Sequence, residues 1–131
     1  MRRGFTLVEL TVVILIIGIV ATIAAPKFFD SVSTAKNKSS AQTLEVVRDA
    51  IALYQANQDS YPGADGTGAT LKTDLTPFLR KEFPTLQVGK KNADIAFSAA
   101  SPLVVTADPE AWIYNKTTGE IRINHADYKS Y

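Results

Sequence analysis

The sequence predicts an α+β fold: one long N-terminal helix, transmembrane in its first half and amphipathic in its second, packed by a small antiparallel β-sheet head. Three observations predict it. Residues Leu10 to Ala25 carry no charge. No glycine or proline interrupts the stretch from Lys27 to Tyr61. The C-terminal third alternates short runs rich in Val, Ile and aromatics with turn residues. With 131 residues the chain has room for one small domain and an extension. The net charge of +1 gives no field toward nucleic acid. With 0 cysteines, disulfides, thiolate catalysis and Cys-based metal sites are excluded.

The first element is Phe5 to Ala25, about 20 residues, the length that crosses a hydrocarbon core as a helix. Arg2 and Arg3 precede it closely, whereas Lys27 on the far side is soon followed by Asp30. The positive-inside bias then keeps the N-terminus cytoplasmic and exports everything after Ala25. A cleavable signal peptide ending near "ATIAAP", a twin-arginine signal on "RRGFTL" and a buried core helix are the competing readings. None of them has a use for Glu9, an acid at the head of an apolar run. The membrane anchor is therefore favoured, with the signal peptide second.

Beyond Pro26 the pattern stays helical but becomes one-sided. Phe28, Val32, Ala35, Leu44, Val47, Ile51 and Tyr54 recur at spacings of three and four, and the charged residues lie largely off that stripe. One helix is expected from about Phe5 to about Gln58, with residues 26–58 as the half that packs on a head formed by 59–131. "NQDSYPGADGTG" reads as a loop, and "LTPFLRKEF" as a short helix with Thr76 as N-cap and Pro77 in its first turn. Four strand candidates follow: "DIAFS", "PLVVTA", "AWIYN" and "EIRIN". The last two form a hairpin through "KTTG", with Gly119 at a positive φ. Ile121 and Ile123 share the face toward the helix. For the partner strand, Ile113 and the Trp112/Tyr114 pair are equally eligible.

The stretch "RRGFTLVEL", an apolar run and Pro26 closely resemble the N-terminal signature of type IV pilins and type II secretion pseudopilins. The likeness continues more loosely in "ALYQANQDSYP" and "AWIYNKTTGEIRIN". The resemblance implies that residues 1–4 are a leader, that prepilin peptidase cuts after Gly4, and that the new amino group of Phe5 is methylated. It implies a bacterial inner-membrane subunit that passes through an assembly platform into a filament of identical or related subunits, periplasmic or at the surface. Cleavage leaves a cationic amine at a helix start, where the helix dipole disfavours it. Glu9, one turn along, is placed to offset that amine or a neighbour's and so to serve filament assembly. Pro26 crowds the carbonyl of Thr22 and, together with Gly18, is expected to kink or loosen the helix.

Two departures limit the resemblance. The cysteine pair that staples many type IV pilins is missing. Calcium in the head, which major pseudopilins often hold, has only Asp94, Asp108, Asn124 and Asp127 as donors, without metal-loop spacing. No cofactor is expected.

Other chemistry-bearing residues have blander explanations. His125 is the single histidine, and Asp127 and Ser130 beside it are ordinary tail residues rather than a catalytic set. Arg80-Lys81 and Lys90-Lys91 lack the interleaved aromatics of a nucleic-acid surface. The sequons at Asn37 and Asn115 are short enough to arise by chance. The chain therefore reads as a non-enzymatic pilin or pseudopilin subunit. The alternative is a secreted binding module released by a signal peptide ending near Ala25.

Overall fold

The computed structural model describes residues 4–106 and 109–128, so Arg2, Arg3, Asp108 and Ser130 lie outside the described residues. The chain divides into two compact units, Met1–Ala35 and Lys36–Tyr131. Helix α1, Leu7–Gln58, contributes to both.

In the first unit α1 buries nothing. Phe5, Leu7, Val8, Leu10 and the Val, Ile and Leu residues through Ile23 are all exposed. Its Val and Ile residues are mediocre helix formers in water, but in lipid a helix satisfies every backbone polar group within the segment. The polar side chains follow the same rule. The hydroxyls of Thr11, Thr22 and Ser31 donate back to the carbonyls of Val8, Ile19 and Lys27 at 2.9, 2.7 and 2.8 Å. It is the one described helix long and apolar enough to cross a membrane. Pro26 lies inside it, and the helix is unbroken there.

In the second unit α1 turns one stripe to a core. Ser40, Leu44, Val47, Ala50 and Ile51 are buried and Tyr54 is half-buried. The expected stripe thus becomes a core face only from Ser40 on, since Phe28 and Ala35 are exposed. The helix stops at Asp59, whose φ of 54° is left-handed and whose N–H donates to the Gln55 carbonyl at 2.8 Å.

A second helix, α2, occupies Gly68–Leu75 and runs into a 3₁₀ turn at Thr76–Phe78. This corrects the helix expected over "LTPFLRKEF". Thr67, not Thr76, is the N-cap, and Thr76 ends α2 by donating its hydroxyl to the Lys72 carbonyl at 2.8 Å. The helix starts early because Asp65 accepts from the Thr67 N–H at 2.9 Å and from the hydroxyls of Thr67 and Thr70 at 3.0 and 2.6 Å. Those bonds hold the Asp65 carboxyl below its ordinary range, the Thr70 hydroxyl contributing most.

Three strands form the sheet: β1 Ile95–Phe97, β2 Trp112–Tyr114 and β3 Ile121–Ile123, in the order β1-β2-β3. The β2–β3 hairpin is antiparallel, with Trp112 opposite Ile123 and Tyr114 opposite Ile121, and Gly119 has φ 73°. β1, however, pairs with β2 in parallel, so the sheet is mixed rather than antiparallel. The register settles the face left open by the sequence. Trp112 and Tyr114 share the core face with Ile121 and Ile123 and join α1, Leu71, Leu75, Phe83 and Leu86 in one cluster. Ile113 points to the other side and is also buried, outside that cluster.

Residues 102–106 of "PLVVTA" are not a fourth strand, and Ala107 lies outside the described residues. They belong to the crossover that a parallel pair requires, and three carboxamides fasten that strap. Asn115 donates to the Ala100 carbonyl at 2.9 Å. Asn124 accepts from the Thr106 N–H at 2.8 Å and donates to the Glu110 carbonyl at 3.1 Å. Asn92 donates to the Pro109 carbonyl and accepts from the Ala111 N–H, both at 3.0 Å. The strap's backbone groups thus bond to side chains instead of to a ladder. Leu103 is buried beneath it while Val104 is exposed.

Candidate functional site

The site with chemistry to explain is the start of α1. A helix leaves its first N–H groups without partners, and a Ser or Thr before the first turn with a Glu three residues later satisfies two of them reciprocally. Thr6 and Glu9 have that spacing. The Glu9 N–H donates to Thr6 Oγ1 at 3.2 Å, while the Thr6 N–H and hydroxyl both donate to Glu9 Oε2 at 2.8 Å. α1 accordingly begins at Leu7, two residues later than expected. A carboxylate at a helix N-terminus is also favoured by the dipole.

Both bonds converge on one oxygen. Glu9 Oε1 has no partner among the described residues, and the side chain is exposed. The carboxylate is thus oriented within its own chain yet open on one side to a cation. Phe5 is 75% exposed, and nothing crowds Gly4, where an added Cβ would meet no atom within 4 Å. The structure therefore places Gly4, Phe5 and Glu9 together at one accessible helix start. Gly18 lies two turns or more further along, in an open groove with Thr11, Ile14, Leu15, Ile19 and Thr22, and Pro26 lies beyond it. Thr6 was not singled out from the sequence, although the Thr-x-x-Glu spacing carries the signal.

The remaining candidates do not assemble. Asp94 is 3.8 Å from Lys72, Asp127 is 3.6 Å from His125, and the Asn124 carboxamide is taken up by the strap. Among the described residues no three His, Cys, Asp or Glu side chains gather as a metal would need. His125 is half-buried against Tyr128 and Gly89 rather than beside a nucleophile. Asn115 is 1% exposed, with its carboxamide bonded at both ends. Asn37 accepts from the Tyr128 hydroxyl at 2.8 Å. Arg80, Lys81, Lys90 and Lys91 are exposed.

Residues 1–25 match the family model described as the prokaryotic N-terminal methylation motif. The chain is 29% identical to type II secretion system core protein G of Dickeya chrysanthemi over 63% of its own length and 55% of that protein. It is 40% identical to the type IV narrow pilus major component PilA5 of Thermus thermophilus over 48% of its own length and 54% of that protein. A fimbrial protein of Neisseria meningitidis serogroup B is 34% identical over 56% of this chain and 42% of its own. The chain thus spans about half the length of the curated relatives it matches. No solved structure matches it significantly. A methylation motif over residues 1–25 and pilin-like relatives do not favour the signal peptide ending near Ala25. Residues 1–25 thus carry the N-terminal methylation motif, and the chain is similar to type IV pilins and to a type II secretion core protein.

Proposed function

We propose that this chain is a structural, non-enzymatic subunit of a membrane-anchored helical filament, either a type II secretion pseudopilus or a type IV pilus-like fibre. The observation that carries the reading is one helix start that combines the methylation motif with a half-open carboxylate at the head of the apolar, exposed stretch of α1 that runs to Ala25. Prepilin peptidase removes residues 1–4 and methylates Phe5. The N-terminus is held on the cytoplasmic side of the inner membrane by Arg2 and Arg3, and the head is exported. An assembly platform then moves subunits from the bilayer into the filament.

The chemistry follows from charge in a dry bundle. The Phe5 amine of an incoming subunit is costly to bury unless it meets a carboxylate. Glu9 of a subunit already in place offers Oε1, while Thr6 keeps Oε2 and fixes the direction of approach. Because donor and acceptor lie on different copies, the contact is head-to-tail and the assembly stays open.

The test has two parts. Intact mass of the mature protein should show a chain beginning at methylated Phe5, and Gly4 replaced by a bulky residue should retain the leader. Glu9→Val should be cleaved and membrane-bound yet largely absent from the sheared filament fraction. A mature chain starting near Pro26 would overturn the processing reading, and equal filament yield from Glu9→Val would overturn the assembly role.

A further inference from the structure

The observed start of α1 moves the membrane frame along the chain. Residues 4–6 are not helical, and the helix begins at Leu7 with the Thr6–Glu9 cap across its first turn. Non-helical backbone and an exposed carboxylate both need water or headgroups rather than hydrocarbon. Hydrocarbon can therefore begin only at about Leu10. From Glu9 to Ala25 the helix rises about 24 Å, short of the ~30 Å that a bilayer core requires. Tilting shortens that rise further, so the missing length has to come from residues beyond Ala25. From Glu9 to Phe29 the rise is about 30 Å.

The residues just past Ala25 suit that task. Phe28 and Phe29 are 65% and 69% exposed and meet edge to face at 6.0 Å. Both precede Ser40, the first buried residue of α1, and neither ring joins the main core cluster. Helical side chains lean toward the N-terminus, so the rings fall back over the end of the apolar run. A phenyl ring has no polar atom to place among headgroups, and this pair closes the hydrocarbon layer from within. Lys27 and Asp30 flank the pair, and neither has an ion-pair partner among the described residues. The four-carbon stem of Lys27 carries its ammonium past the rings to the level of the lipid phosphates.

We propose that Phe28 and Phe29, with Lys27, seat α1 on the phospholipids of the leaflet nearest the head, so that the lipid boundary lies at Phe29 and not at Ala25. The proposal rests on the membrane-anchor reading and fixes the depth at which that anchor sits.

The full-length chain has 0 cysteines, so one introduced Cys carries a nitroxide at a chosen level. The protein is placed in vesicles of phosphatidylethanolamine and phosphatidylglycerol. Depth is read from relaxation of the label by oxygen against a water-soluble nickel complex. A label on Ala25→Cys should lie inside the hydrocarbon, about 6 Å from its edge, and one on Ser33→Cys outside it. Removing both rings, Phe28→Gln/Phe29→Gln, should bring the Ala25→Cys label out to the edge, and Lys27→Glu should shift it the same way. A label on Ile16→Cys should stay deep throughout. An Ala25→Cys label already at the phosphates in the parent overturns the proposal. Unchanged depth without the rings overturns it too, and a fall in filament yield alone would then assign them to a neighbouring subunit. An Ile16→Cys label outside the hydrocarbon overturns the membrane-anchor reading itself.

Discussion

Thr6 and Glu9 hold each other across the first turn of α1, the hydroxyl and N–H of Thr6 on one carboxylate oxygen and the Glu9 N–H on the Thr6 hydroxyl. An acid in an apolar run is thus given work inside its own chain before any neighbour arrives. Thr6→Val keeps the shape and removes the cap, at a cost of about 1 kcal/mol to the helix start. Filament yield by immunoblot of the sheared fraction should fall between those of the parent and Glu9→Val, and Thr6→Ser should restore it. Parental yield from Thr6→Val would show that the cap does not prepare Glu9 for assembly.

The head should fold without the apolar half of α1. Every residue of the main core cluster lies at or beyond Leu44, so a chain lacking residues 1–29 keeps its core whole. It should be monomeric by light scattering and give a cooperative thermal transition by circular dichroism. A non-cooperative melt would show that the head depends on the removed segment.

Asn124 fastens the strap through both ends of its carboxamide. Asn124→Ala leaves the Thr106 N–H and the Glu110 carbonyl without partners and should cost about 2–3 kcal/mol in urea unfolding of the head. Asn124→Asp should also destabilise at neutral pH, because a carboxylate has no donor for the Glu110 carbonyl. A change below about 0.5 kcal/mol in both variants would mean that water replaces the side chain.

Tyr114 is buried and donates to the Pro62 carbonyl at 3.1 Å. Burial, followed by the nearby Tyr61, Asp74 and Tyr54, pushes its phenol well above the ordinary tyrosine range. The folded state then holds a proton that the unfolded state releases, so stability is complete below about pH 10 and falls as pH rises beyond it. Tyr114→Phe should cost about 1–2 kcal/mol at neutral pH and flatten the alkaline loss. Parallel pH profiles for the two proteins would assign that loss to other groups.

Ser40 is buried in α1 at 1% exposure, and its hydroxyl has no partner among the described residues. Ser40→Ala removes an unsatisfied polar atom and improves helix propensity, so the head should gain up to about 1 kcal/mol. A loss of stability would reveal a bound water at that hydroxyl.

The helix was legible because its signals are local. An unbroken apolar run and a three-and-four stripe each lie within a few turns of chain, whereas the Thr6–Glu9 spacing that sets the true start at Leu7 went unread. The hairpin was legible for the same reason, with Gly119 marking the turn between two β-rich runs. α2 was hidden because "GATLKTDL" has almost no apolar periodicity and is started by Asp65, Thr67 and Thr70 acting together. The parallel β1–β2 pairing was hidden because its crossover contains, among the described residues, no helix to announce it. Its Val-rich "PLVVTA" imitates a strand while the N–H groups of Leu103 and Thr106 bond to the side chains of Glu120 and Asn124.

The exposed apolar surface of residues 7–23 also decides by which route a subunit can travel. Its large side chains, at about 1.5–3 kcal/mol each for transfer to water, sum to tens of kcal/mol. A free aqueous subunit is then negligible at any cellular concentration. In the proposed filament, traffic in both directions would then be a direct exchange between lipid and bundle, one greasy solvent for another. Such a filament would not shed monomers into its surroundings, and would shorten only where its base meets a membrane able to take the helices back.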